Sequence, residues 1–144
     1  MSVKYIPEGF HTVTPFILVK GVAKMSEFLK KAFNASEHRS LSLPDGTVIN
    51  SEIKIGDSII MLSEARGNFP PSPVSMYLYV SNTDDTYSQA IAAGGISVME
   101  PADQFYGDRN AGIKDPFNNI WWIATHNEDI SDEEMHKRAS ENRG

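Results

Sequence analysis

The sequence predicts an α+β fold built from two βαβββ modules. Three observations carry this reading. The order strand, helix, three strands occurs twice along the 144 residues. Matching positions recur at one constant offset: Thr14 and Ser75 open the first strands, Val19 and Val80 end them, and Met61 and Trp122 sit at equivalent places in the last strands. One proline- and glycine-rich stretch, 64–73 (EARGNFPPSP), separates the halves. Two repeats are too few for a solenoid. Two open sheets that pair their concave faces would instead enclose a pocket.

Each element has its own signal. Residues 12–19 (TVTPFILV) are apolar and β-rich, with Pro15 inside, which suits a strand start or an edge strand. Val22, Met25, Phe28, Leu29, Ala32 and Phe33 fall at helical spacing, so 22–33 reads as an amphipathic helix. Lys24, Glu27, Lys30 and Lys31 form its polar face, and Asn34 is its stop. Residues 39–43 and 47–55 read as strands joined by the hairpin signal Pro44-Asp45-Gly46. Gly56-Asp57 turns into a strand at 58–63 (SIIMLS). The pattern restarts with a strand at 74–80 (VSMYLYV). A helix at 84–93 is opened by Asn82 and Thr83 and closed by Gly94-Gly95. Strands follow at 96–100, 109–114 and 120–125 (IWWIAT), the last one after the turn Asp115-Pro116-Phe117-Asn118-Asn119. Ser131-x-x-Glu134 matches a capping box, so the tail is expected to carry a short solvated helix. The organisation is a single domain over 1–144. It holds module one at about 12–64, a linker at 65–73, module two at about 74–126 and a helical tail at 127–144.

Composition excludes several functions. The absence of cysteine removes disulfides, cysteine-ligated zinc or iron–sulfur sites and thiolate nucleophiles. With 13 Lys and Arg against 19 Asp and Glu, the net charge is −6, and no basic face for nucleic acid is expected. Residues 127–144 carry six of the acids and three of the bases, so half of that charge lies in the tail. The longest apolar runs fall well short of a membrane span, and no signal-peptide pattern opens the chain, so a cytoplasmic protein is expected. There is no nucleophile elbow and no glycine-rich phosphate loop.

The motifs, taken in order, resemble the vicinal oxygen chelate superfamily of glyoxalase I, bleomycin-resistance proteins and extradiol dioxygenases. They are Thr14-Pro15-Phe16-Ile17-Leu18-Val19-Lys20-Gly21, Glu27-Phe28-Leu29-Lys30-Lys31-Ala32-Phe33, Ile55-Gly56-Asp57-Ser58-Ile59-Ile60-Met61-Leu62, residues 99–109 (MEPADQFYGDR) and Asp115-Pro116-Phe117. The likeness covers nearly all of residues 12–130 and is strongest to the PhnB-like branch of glyoxalase-related proteins. It implies a glyoxalase-like half-barrel sheet around a cavity, usually in a homodimer. It also implies a divalent metal in that cavity, held by His, Glu or Gln on the opening and last strands of each module. Those positions carry over to Thr14, Met61, Ser75 and Trp122. Two hydroxyls, a thioether and an indole are poor ligands for such an ion. The resemblance therefore points to a member without metal or other cofactor, unless that register shifts by one or two positions.

The histidines do not fill the gap. His11 stands three residues before Thr14, on the opposite face if the strand reaches that far. His126 lies four beyond Trp122, about 13 Å along an extended strand. His38 is placed at the helix-to-strand connection and His136 in the tail helix, and all four read as surface or loop residues.

If the positions carried over from the resemblance point inward, strand alternation takes the cavity lining as Thr14, Phe16, Asn50, Glu52, Met61, Ser75, Tyr77, Tyr79 and Trp122, with Arg109 entering from the second module's middle strand. Met76, Leu78 and Trp121 then face away. This set suits a flat apolar or aromatic ligand, or else the aromatics simply fill the barrel. Glu52 is a general base if burial raises its pKa, or a solvent-facing carboxylate. Arg109 is an anion clamp, or a structural ion pair with Asp115. Two functions follow. One is a homodimeric protein binding a small apolar or aromatic molecule without metal. The other is a lyase or isomerase of the glyoxalase type, using a metal or Glu52, Tyr77 and Arg109 in acid–base chemistry. A module with a plugged cavity, acting only in protein interactions, is the third reading.

Overall fold

The computed structural model of the protein describes residues 2–142; the last two residues of the expected tail lie outside them. The element order is β1 (Phe16–Val19), α1 (Val22–Phe33), β2 (Ser36–Ser42), β3 (Val48–Ile55) and β4 (Ser58–Glu64). Then come β5 (Ser75–Tyr79), α2 (Thr83–Ala92), β6 (Ile96–Asp103), β7 (Asp108–Lys114), β8 (Ile120–His126) and α3 (Asp132–Glu141). The fold is α+β, with two four-stranded sheets ordered β1-β4-β3-β2 and β5-β8-β7-β6. In both, the first strand runs parallel to the last, and the other pairs are antiparallel. The chain divides into two compact units, Met1–Val74 with Pro116–Asn118, and Ser75–Asp115 with Asn119–Gly144.

In unit one, the apolar stripe of α1 (Val22, Met25, Phe28, Leu29, Ala32, Phe33) packs on sheet one. The sheet answers with Ile17, Val19, Ile53, Ile60 and Leu62, all nearly inaccessible to water. Alternation leaves Phe16, Leu18, Asn50, Glu52, Met61 and Ser63 on the other face. Gly21, before α1, has no side chain to cap the helix. Instead the Glu64 carboxylate, at the end of β4, accepts from the Gly21 and Val22 N–H groups at 3.0–3.1 Å. Asn34 closes the helix in a left-handed conformation.

Unit two repeats the plan. Trp121, Ile113, Ile123 and Ala111 are fully buried on the helix side of sheet two, with Ala90 of α2. Trp121 Nε1 donates to Asp115 Oδ2 at 2.8 Å, which satisfies the buried indole. The Thr125 hydroxyl on β8 accepts from Thr83 N at 3.1 Å, as Glu64 does for Val22 at the equivalent place in unit one. Asn82 caps α2 by accepting from Asp85 N, and Ser131 caps α3 by accepting from Glu134 N.

Four expectations need correction. The first strand starts at Phe16, not Thr12; Thr14 precedes it, and its hydroxyl donates to the His11 carbonyl in a local turn. His38 lies inside β2, which begins at Ser36; this edge strand is exposed along its whole length and carries no apolar signal at its start. β6 continues through Pro101 to Asp103, because it is the edge strand of its sheet and proline's missing donor costs no ladder bond there. Finally, Arg109 does not pair with Asp115. Its guanidinium binds Asp84 at 2.7 and 2.9 Å and Asp103 at 3.3 Å, while Asp115 accepts from Asn119 and Trp121.

Candidate functional site

On the open face of sheet one, one transverse row crosses all four strands. Phe16 on β1 is opposite Met61 on β4, Met61 opposite Glu52 on β3, and Glu52 opposite Arg39 on β2. The row runs from aromatic to thioether to carboxylate to guanidinium. Phe16 is 53% exposed, a large apolar surface for a strand residue. Two adjoining cavities share this row. One, of about 830 Å³, is lined by Thr14, Glu52, Met61, His11, His38 and Arg39 together with Tyr5, Ile6, Pro7, Glu8 and Phe10 among others. The other, of about 440 Å³, is lined by Phe16, Asn50, Glu52, Met61, Arg39 and Leu41 among others. All five site residues expected from module one line one cavity or both.

The larger cavity is closed on one side by the N-terminal segment. Phe10 N donates to the Pro7 carbonyl, and Gly9 takes a positive φ of 87° at the third position of that turn. The Phe10 ring then meets the His38 imidazole edge-on at 6.1 Å. A side chain at Gly9 would collide with Ile59, so the segment lies tight on the sheet. His11, expected on the face opposite Thr14, lines the same cavity, because no strand forces alternation between them. His38 Nε2 stands 3.8 Å from Glu52 Oε1.

Sheet two carries the matching row: Tyr77 opposite Trp122, Trp122 opposite Gly112, Gly112 opposite Met99. The Trp122 ring lies flat on Gly112, where an added Cβ would fall 2.6 Å from Cζ3. Ser75, Tyr77 and Tyr79 alternate on the exposed side of β5, with Met76 and Leu78 half-buried between them. The Tyr77 and Tyr79 rings meet edge to face at 5.3 Å. Arg109 is not part of this face. It neighbours Asp108 and Asn110 in sequence, and both of those point the other way.

Asp108 organises the aromatic pair. It is 6% exposed and accepts from Tyr77 Oη at 2.7 Å and Tyr79 Oη at 3.4 Å. Its other oxygen lies 2.9 Å from His126 Nδ1, and His126 Nε2 lies 2.7 Å from Asp129. Asn110 donates to Tyr77 Oη and Tyr106 Oη and accepts from Gln104. Burial alone would raise the Asp108 pKa, but the hydrogen bonds from His126, Tyr77 and Tyr79 and the imidazolium charge hold it below the usual range. Burial first, and then Asp108, push the Tyr77 and Tyr79 phenols up. Asp108 and then Asp129 raise His126. The cluster thereby favours the protonated form of His126, the ionised form of Asp108 and neutral phenols at Tyr77 and Tyr79 that act as donors.

Sequence reasoning missed this cluster and the cavity's His11, His38 and Arg39. Asp108 stands beside Arg109 in a motif already singled out, and the period-2 rule separates the two faces. The pairing of Asp108 with His126 depends on the β7–β8 register, which local sequence does not carry.

The metal positions that carry over offer hydroxyl, thioether, hydroxyl and indole. The Thr14 hydroxyl is engaged by the His11 carbonyl, and the Trp122 indole rests on glycine. These side chains do not fit a hard or borderline divalent cation. Among the described residues, no group of three or more His, Asp or Glu side chains comes together to hold an ion. No described helix is long and apolar enough to cross a membrane.

Two βαβββ units, each with a four-stranded sheet whose first strand runs parallel to its last, define a class of α+β proteins built from paired modules. The particular family follows from comparison: residues 9–123 match the model of the Glyoxalase/Bleomycin resistance protein/Dioxygenase superfamily, and the chain belongs to it. An uncharacterised protein of Mycobacterium bovis is 30% identical over 120 residues, 76% of this chain and 79% of its own. TioX from Micromonospora sp. ML1 superposes with a TM-score of 0.67 at 17% identity, over 84% of this chain and all of its own. A PhnB protein from Bacillus cereus superposes with a TM-score of 0.63 at 18% identity, over 80% of this chain and 99% of its own. At these identities the two structures speak for the fold alone.

Proposed function

We propose that the protein binds a small apolar or aromatic molecule on the open face of sheet one, without a metal. The observation that carries this reading is the pair of hollows of about 830 and 440 Å³ around Phe16 and Met61. That volume matches ordinary ligand sites, and its lining mixes apolar walls with a few polar groups. Tyr77, Tyr79 and Trp122 give the second sheet an aromatic face of its own, suited to stacking. Ser75 stands at its margin. The protein is read as cytoplasmic and homodimeric, in keeping with its superfamily, and sedimentation should then return twice the chain mass.

The test is titration calorimetry of chelator-treated protein with uncharged 2-naphthamide. Saturable binding is expected, weakened about tenfold in Met61→Ala through lost contact area. Absence of binding, or binding that appears only on adding zinc, nickel or manganese, overturns the reading. One observation favours an enzyme as second reading: Glu52 faces the larger cavity with His38 Nε2 3.8 Å from its carboxylate. Arg109, engaged by two carboxylates, takes no part in it. This alternative expects Glu52→Gln to abolish turnover with the fold intact.

A further inference from the structure

We infer that the ligand of the sheet-one site is an amphipathic anion, with Arg39 clamping its carboxylate or phosphate group while Phe16 and Met61 carry its apolar body. This rests on the function proposed above and names the class of molecule.

Among the titratable side chains lining the larger cavity, each acid already has a cationic or protonatable neighbour. Glu8 pairs with Lys4 at 3.2 Å. Glu52 lies 3.8 Å from His38. Arg39 sits directly across β2–β3 from Glu52, yet makes no ion pair with it. Its guanidinium has no hydrogen-bond or salt-bridge partner among the described residues. Two other arginines differ in this respect. Arg109 is held by Asp84 and Asp103, and Arg138 by Glu128, Glu134 and the Phe105 carbonyl. Arg39 is thus a planar, permanently charged, bidentate donor left without an acceptor.

Its position gives that donor a use. Arg39 lines both cavities, and so do Glu52 and Met61. Neighbouring strands lie about 4.8 Å apart, so two strand spacings, or about 10 Å, separate Arg39 on β2 from Met61 on β4. A bicyclic aromatic with one anionic substituent spans that distance. Its ring would rest on Met61 and Phe16 and its oxygens on the guanidinium. Asn50 and the His11 imidazole add polar neighbours. A neutral aromatic of the same shape would keep the apolar contacts and leave the guanidinium in water.

The experiment compares three probes of one ring size: 2-naphthamide, 2-naphthoate and 2-naphthyl phosphate. Each is titrated calorimetrically into the full chain and into Arg39→Gln and Arg39→Lys. Because Arg39 is exposed on an edge strand, both variants should keep the wild-type circular dichroism spectrum. At least one anionic probe should bind about tenfold more tightly than the amide to the wild type, in line with a charge-assisted pair. Arg39→Gln should erase that preference by weakening the favoured anion, and Arg39→Lys should retain part of it. Which anion wins distinguishes carboxylate from phosphate. Equal affinity for all three probes, or a preference that survives Arg39→Gln, overturns the inference and leaves the apolar site standing. Failure of all three to bind overturns both.

Discussion

At the scale of single residues, the decisive groups are those whose neighbours fix their charge. His126 lies between Asp108 and Asp129, which hold its pKa above the ordinary histidine value. A raised folded-state pKa stabilises the protein fully at pH values below the unfolded histidine value of about 6.5. That contribution is lost as pH rises through the elevated folded value. The melting temperature should therefore fall across this window as pH is raised, and the fall should flatten in His126→Gln. Equal slopes for the two proteins would deny the coupling. Asp108 ties this titration to Tyr77 and Tyr79, because the carboxylate that pairs with the imidazolium also holds both phenols. Little of this is legible in the sequence. Tyr77, Tyr79 and Trp122 emerge from strand alternation once the resemblance sets Ser75 and Trp122 inward, but the carboxylate that anchors the tyrosines is hidden by its neighbour Arg109. An arginine beside an aspartate draws attention as an anion clamp, whereas alternation turns it to the helix side, where Asp84 and Asp103 take it up.

At the scale of elements, the sequence is readable where one face is buried and opaque where none is. Apolar spacing marks both ends of helix α1, since seven of its side chains are buried, most of them against the sheet. It cannot mark the start of β2, because SEHRSLS is exposed throughout, and the turn at Pro44-Asp45-Gly46 betrays only its end. Nor does it carry β6 past Pro101, since a proline ends a strand unless an edge tolerates it. The helix starts show how the last strand of each unit serves the first helix. Glu64 accepts from two N–H groups of the α1 start, and Thr125 does the same service for Thr83 at the start of α2. Gly21 offers no cap of its own, so Glu64→Ala should cost about 1–2 kcal/mol in urea denaturation, the usual range for a lost cap near a helix dipole. An unchanged midpoint would show that water replaces the carboxylate without loss.

At the scale of the whole chain, the constant offset between the halves proves to be a structural repeat. Phe16 pairs with Met61 in one sheet and Tyr77 with Trp122 in the other, and the same offset carries each member of the first pair onto its counterpart in the second. The two rows share a register and differ in chemistry. Row one continues into Glu52 and Arg39, and row two into Gly112 and Met99. The offset is visible in the sequence, and the divergence is not. Bulges between Glu37 and Arg39 and between Ser97 and Met99 shift the outer strands against the count along the chain. Family membership fixes the architecture, and the purpose we propose for row one is to hold a small apolar body on an open sheet. The methionines report on that claim most directly, through methyl resonances of protein labelled at the methionine methyl carbon and titrated with 2-naphthamide. Met61 lines both hollows, while Met25 is fully buried in α1 behind the same sheet. A saturable ring-current shift of the Met61 methyl, with Met25 unmoved, is the predicted result. No saturable shift at Met61, or an equal shift at Met25, would contradict it.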